Sequence, residues 1–132
     1  PKLILSGRSM NDNYYIFIYN KFIDRFDEYE FMKNRNKILI LGLSYKAETN
    51  DLRNSRIFLI IDLLIKEEYN FQISDPLVKF EEIALKYRKY FIKYSKLKKN
   101  YYSSILLATN HSAIKNIFLK YITKNKNFIY KI

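Results

Sequence analysis

Ile38-Leu39-Ile40-Leu41 is apolar at every position and closes on Gly42. A strand with one face in water alternates apolar and polar residues. A short run with no polar position is buried on both faces, the situation of a strand inside a parallel sheet covered by helices. Phe71-Gln72-Ile73 and Ile105-Leu106-Leu107-Ala108 read as further strands, and Phe128-Ile129-Tyr130 as a last one. Helical spacing lies between them. Ile57, Ile60, Ile61 and Leu64 form one stripe, with Asn54 or Ser55 positioned to cap it. Phe80, Ile83, Tyr87 and Phe91 predict a second helix, and Ile114, Ile117, Phe118 and Tyr121 a third. Strands alternating with helices give right-handed crossovers. The expected fold is therefore α/β: a Rossmann-like three-layer domain with a small parallel sheet.

One long helix precedes this unit. Ser9-x-x-Asp12 can open it, and Tyr15, Ile18, Tyr19, Phe22 and Phe26 share a face that Ile16 and Ile23 widen. The polar stretch Lys33 to Asn36 reads as its exit. The expected boundary divides a helical segment, residues 1–34, from the sheet domain, residues 35–132. The helix is expected to stand outside the sheet, with apolar residues on more than one face available for self-association.

Composition removes whole classes of chemistry. The chain has no Cys, which excludes disulfides, thiolate metal sites and a cysteine nucleophile within it. His111 is the only histidine, so no multi-histidine metal site can form. Two glycines, Gly7 and Gly42, cannot build a G-x-G-x-x-G or Walker loop. These residues contain neither a membrane-spanning apolar run nor a basic, apolar leader. The net charge of +11 points superficially to nucleic acid. Yet Lys, Asn, Ile, Tyr and Phe, all with A- and T-rich codons, make up more than half of the 132 residues, and the lysines are scattered. A solvated basic surface accounts for the charge.

Ligands of open parallel sheets bind beyond the carboxyl ends of the strands. Three segments lie there: Gly42 to Ser55, Ser74-Asp75-Pro76, and Thr109-Asn110-His111. The first carries Tyr45, Lys46, Asp51 and Arg53 and ends at a helix start, a combination suited to a phosphate or diphosphate. Asp75 before Pro76 is expected to cap the following turn. His111 reads as a turn residue or a contact at the rim of a base rather than a catalytic base.

The run Lys37 to Lys46, then Asp51-Leu52-Arg53-Asn54-Ser55, then Ser74-Asp75-Pro76, resembles the C-terminal domain of the UDP-glucose/GDP-mannose dehydrogenase family. That pattern is an apolar strand, G-[LIF]-x-[FY]-K, a spacer, D-x-R-x-S, a helix, a strand and D-P. Tyr102 to Lys115 resembles the family's later strand and turn, and Gly7-Arg8-Ser9-Met10-Asn11-Asp12 the opening of its central helix, most closely in members acting on UDP-N-acetylhexosamines. The resemblance implies part of a cytoplasmic enzyme that oxidises a UDP-sugar to a UDP-uronic acid in two steps with NAD. It implies that residues 1–34 are the tail of a helical dimerisation domain and residues 35–132 the UDP-binding domain, in a homodimer without nucleic-acid or membrane partners. Tyr45 and Lys46 would reach the nucleotide sugar, Arg8 the active site, and Arg53 the NAD diphosphate, with Asp51 orienting Arg53 or its loop. The family's catalytic Cys and first NAD fingerprint have no counterpart here, so this chain alone is expected to be inactive. Two positions depart from the family: Ser103 or Ser104 where an Asp usually starts the third strand, and a last strand lacking the usual Asp before its Lys131. The competing reading is a free-standing nucleotide-binding module or a basic nucleic-acid binder.

Overall fold

The structure, a computed structural model, describes residues 10–29, 37–124 and 128–132. Four strands, β1 (Ile38–Leu41), β2 (Phe71–Ser74), β3 (Ser104–Leu107) and β4 (Ile129–Lys131), form one sheet in the order β2-β1-β3-β4. Every pairing is parallel, with Ile38 opposite both Phe71 and Ser104. All four β1 residues are fully buried, as their unbroken apolar run requires.

Side chains alternate across β1. Ile38 and Ile40 face the layer that holds α1 (Met10–Tyr29) and α2 (Ile57–Lys66), whereas Leu39 and Leu41 face the layer of α3 (Asn116–Ile122). The expected three-layer α/β fold is thus present. The α2 stripe Ile57, Ile60, Ile61 and Leu64 is buried as read. No side chain caps α2, however. Arg56 takes the N-cap position, Asn54 turns into the left-handed region at φ 61°, and Arg56 Nε lies 2.9 Å from Asp12 Oδ1 on α1. The expected caps Asn54 and Ser55 are spent on the turn before the helix.

Helix α1 does more than stand outside the sheet. Ile18, Tyr19, Phe22, Ile23 and Phe26 are buried in the same core as Ile38, Ile40 and Phe128, and Ile16 is fully buried as well. The Phe22 ring meets Phe26, Phe128 and Tyr130 at centroid distances of 5.7–6.3 Å. Met10, Tyr14 and Phe17, at i, i+4 and i+7, remain exposed on its outer side.

The helix expected over Phe80 to Phe91 is replaced by short 3-10 turns, Phe80–Glu82 and Leu85–Tyr90, followed by Tyr94–Lys96. Ile83, Ala84 and Phe91 are extended between them. Arg88 occupies the carbonyls of Ile83 and Glu81 with its guanidinium, at 2.8 and 3.1 Å, and Ile92 N–H donates to Ile73 O at 2.9 Å. The Arg88 bonds occupy carbonyls that a continuous helix would use itself, and the Ile92 bond draws the segment alongside β2. Ile83 and Tyr87 still reach the core, so the apolar spacing marked burial but not the period. On α3 the buried face is Leu119 and Ile122, with Ile114 before it, whereas Ile117 and Tyr121 of the expected stripe are exposed. Ile114 lies before α3 begins, so helical spacing counted from it does not carry into the helix, whose sheet-facing side is the one bearing Leu119 and Ile122, three residues apart.

Candidate nucleotide-binding loop

The chain runs from β1 to β2 on one side and then to β3 on the other, so the strand order reverses between β1 and β3. At such a switch point the loops leaving the two strands diverge and leave a binding crevice. Here they are residues 42–56 and 108–115. Their roots are in contact. Gly42 has φ +89°, a conformation side chains rarely adopt, and its α-carbon faces the Thr109 backbone. Thr109 Oγ donates to Ser44 O at 2.6 Å, and Ala108 N–H to Leu41 O at 2.9 Å.

Beyond Ser44 the loop turns outward. Tyr45 N–H donates to Asp51 O at 3.1 Å, closing a ring of residues 45–51. Tyr45 is half exposed and Lys46 is exposed, with its ammonium 5.4 Å from the Tyr45 ring centre. Asp51 receives Arg53 N–H and Nε at 3.0 Å on one oxygen and Nη2 at 2.8 Å on the other. These hydrogen bonds hold the Asp51 carboxyl down to about 2, with the Lys46 charge adding to the effect, and in return push the Arg53 guanidinium up. Arg53 remains 87% exposed and, with Thr49, Asn50, Asp51, Leu52 and Glu82, lines an open cleft of about 510 Å³. The structure therefore brings Tyr45, Lys46, Asp51 and Arg53 onto one loop surface, and Asp51 orients Arg53. Arg8 lies outside the described residues.

Sequence reasoning missed the polar network beneath the loop. Asp75 is buried at the end of β2 and accepts from Leu77 N–H at 2.8 Å, the expected turn cap. Its other oxygen accepts from Leu43 N–H at 2.7 Å and lies 2.8 Å from His111 Nε2. His111 is fully buried, not a rim residue, and its Nδ1 accepts from Glu48 N–H at 3.0 Å. A nitrogen that accepts carries no proton, so the ring is neutral with its hydrogen on Nε2, directed at Asp75. One carboxylate thus ties together the segments leaving β1, β2 and β3. The available signal was positional: parallel strands end on one edge, so Asp75 and His111 must meet there if their side chains turn inward.

Residues 39–132 match the family model described as the UDP-glucose/GDP-mannose dehydrogenase family, UDP binding domain. The chain belongs to the UDP-glucose/GDP-mannose dehydrogenase family. It is 30% identical over 135 aligned residues to the UDP-N-acetyl-D-glucosamine 6-dehydrogenase of Salmonella typhi, covering 100% of this chain and 31% of that protein. It is 29% identical to the UDP-N-acetyl-D-mannosamine dehydrogenase of Methanococcus aeolicus, covering 87% of this chain and 24% of that protein. The chain therefore spans under a third of the length of these curated relatives. Among solved structures, it resembles the UDP-D-ManNAc dehydrogenase of Pyrococcus horikoshii with a TM-score of 0.55 at 19% identity, over 89% of this chain and 25% of that one. It resembles the GDP-mannose dehydrogenase of Pseudomonas aeruginosa with a TM-score of 0.53 at 21% identity, over 71% of this chain and 24% of that one. Those likenesses establish the shared α/β fold. No helix among the described residues is long and apolar enough to cross a membrane, and no cluster of three His, Asp or Glu among them is placed to hold a metal ion.

Proposed function

We propose that this chain supplies the nucleotide-sugar-binding part of a cytoplasmic, NAD-dependent UDP-sugar 6-dehydrogenase, which converts a UDP-sugar to a UDP-uronic acid in two oxidations. The observation that carries this reading is the loop at the switch point. It presents Lys46 and Tyr45 beyond the carboxyl end of β1, within the segment that matches the family's UDP-binding domain. The Lys46 ammonium supplies a point charge for the diphosphate, and the Tyr45 ring a flat apolar surface beside it. Arg8 is assigned to the sugar end of the substrate from the family pattern alone.

NAD, when bound, accepts the hydride in each oxidation. The residues here fit one contact to it. Arg53 spends Nε and one Nη2 hydrogen on Asp51, leaving Nη1 for a diphosphate oxygen at the mouth of the open cleft. That is a contact but not a binding site, and a phosphate-cradling glycine loop cannot be assembled from this sequence. The chain alone therefore reduces no NAD with any nucleotide sugar.

Residues 1–34 belong in this reading to the helical dimerisation domain and residues 35–132 to the UDP-binding domain. The exposed α1 stripe Met10, Tyr14 and Phe17 supports a homodimer contact on that helix. Nucleic acid and membrane play no part. The test is a titration of the chain with UDP and, separately, with a single-stranded oligonucleotide. Saturable UDP binding with line broadening or shifts confined to residues 43–53 supports the reading. Oligonucleotide binding without a UDP response would replace it with the basic-module alternative.

A further inference from the structure

Tyr45, Lys46 and Ala47 are exposed, but both ends of that tripeptide are fixed to one buried ring. On the near side, Ser44 Oγ lies 3.3 Å from His111 Nε2 and donates to Lys46 O at 2.7 Å. On the far side, Glu48 N–H donates to His111 Nδ1 at 3.0 Å. Glu48 takes a left-handed φ of 65°, a conformation a side-chain-bearing residue holds only when its surroundings enforce it. A second tie comes from outside, where the Glu48 carboxylate accepts from Ser112 N–H and from Ser112 Oγ, the latter at 3.0 Å. The same hydrogen bonds from Ser112 lower the Glu48 carboxyl below its ordinary range. His111 itself is aimed by Asp75, whose carboxylate is held by Leu43 and Leu77 N–H groups.

We propose that His111, with Asp75 behind it and Glu48 as the outer latch, is a positioning residue that fixes the Tyr45–Ala47 segment in the shape that receives a nucleoside diphosphate. This rests on the assignment of Lys46 to the diphosphate. The imidazole is sealed from solvent and touches no ligand; it acts only through the loop. Its effect is to remove ordering that binding would otherwise have to impose on three residues. A neutral ring is required, because protonated Nδ1 would confront the Glu48 N–H with a second donor.

The test is a double-mutant cycle in the 132-residue chain, with UDP as the probe and chemical-shift titration as the readout. His111→Gln keeps a donor toward Asp75, but carries its acceptor oxygen on a flexible side chain that no ring holds opposite Glu48 N–H. Lys46→Ala and His111→Gln are each expected to weaken UDP binding about threefold to fivefold, as for an exposed charge-assisted contact. In the Lys46→Ala background His111→Gln is expected to change affinity less than about twofold, because the residue it positions is gone. Equal effects of His111→Gln in both backgrounds, or none in either, would overturn the positioning role while leaving the Lys46 assignment intact. Unchanged affinity in Lys46→Ala would overturn the Lys46 assignment and this inference with it. Should His111→Gln fail to fold, Glu48→Ala removes the latch from the exposed side. It is expected to show the same dependence on Lys46, and an affinity loss that is independent of Lys46, or no loss, would overturn the role.

Discussion

A β-carbon built on Gly42 would lie 2.2 Å from the carbonyl oxygen of Thr109. The obstacle is backbone, which cannot swing aside as a side-chain tip can, and the φ of +89° penalises any side chain independently. Gly42→Ala must therefore part the β1 and β3 strand ends or distort the turn between β1 and the binding loop. The expected cost is at least about 3 kcal/mol, at the upper end of single-substitution effects. Chemical denaturation measures it. A loss under about 1 kcal/mol would mean that the two strand ends separate easily.

The Asp51–Arg53 pair makes a pH prediction with a defined sign. Asp51 is held at about 2, well under its ordinary value, first by the Arg53 side-chain hydrogen bonds and then by the Arg53 backbone N–H. A depressed folded-state carboxyl contributes stability above its unfolded value, and that contribution disappears as pH falls through the folded value. The loop geometry around Arg53 should accordingly persist from neutrality down to about pH 3 and loosen only below it. Carboxyl-carbon titration by NMR reads Asp51 directly. In Arg53→Ala the midpoint should rise toward about 4, the ordinary carboxylate value. A midpoint already near that value in the parent chain would mean the pair does not persist in solution.

Phe22 joins the helix to the sheet domain through Phe26, Phe128 and Tyr130. It is fully buried, so Phe22→Ala removes apolar contact and leaves a cavity between α1 and β4. The expected destabilisation is about 3–5 kcal/mol. Phe17→Ala, one exposed face away on the same helix, should leave monomer stability within about 0.5 kcal/mol. Equal effects of the two would mean α1 is not seated on the sheet.

What was legible in the sequence followed the strength of local constraint. The β1 run admits one solution, a strand buried on both faces, and every strand lies within one residue of its expected place. The α1 and α2 stripes were legible because their apolar residues repeat for two or more turns. The segment after Pro76 was not, because its geometry comes from the Arg88 side chain bonding to carbonyls of its own segment and from Ile92 N–H bonding to Ile73 O on β2, which spacing cannot reveal. The site divides the same way. Tyr45, Lys46 and Arg53 stand in one loop and were found together, and their arrangement on one surface followed. Asp75, His111 and Glu48 are separated by up to 63 residues, and only the parallel register makes them neighbours. A lone histidine after a strand carries no sign of whether it turns inward.

Lys46 and Lys98 provide the sharpest comparison of specific and general basicity. Both are surface lysines with the ammonium near a tyrosine ring, 5.4 Å from Tyr45 and 5.2 Å from Tyr101 respectively. They differ in place. Lys46 lies beyond the carboxyl end of β1, whereas Lys98 precedes β3, and the Tyr101 ring beside it also meets Lys37 at the amino end of β1. Each alanine substitution lowers the net charge equally, so non-specific attraction of a phosphate must fall equally in both. Only at Lys46 is a directed contact to the diphosphate lost as well, worth roughly 0.6–1 kcal/mol, the upper part of the range for an exposed charged contact. Lys46→Ala should therefore weaken UDP binding about threefold to fivefold, and Lys98→Ala by less than about 1.5-fold. Raising the salt should weaken binding in the parent chain and in Lys98→Ala more than in Lys46→Ala, because screening acts on the charge that the last variant lacks. Equal losses in the two variants would reduce the interaction to general basicity and remove the loop after β1 as its site.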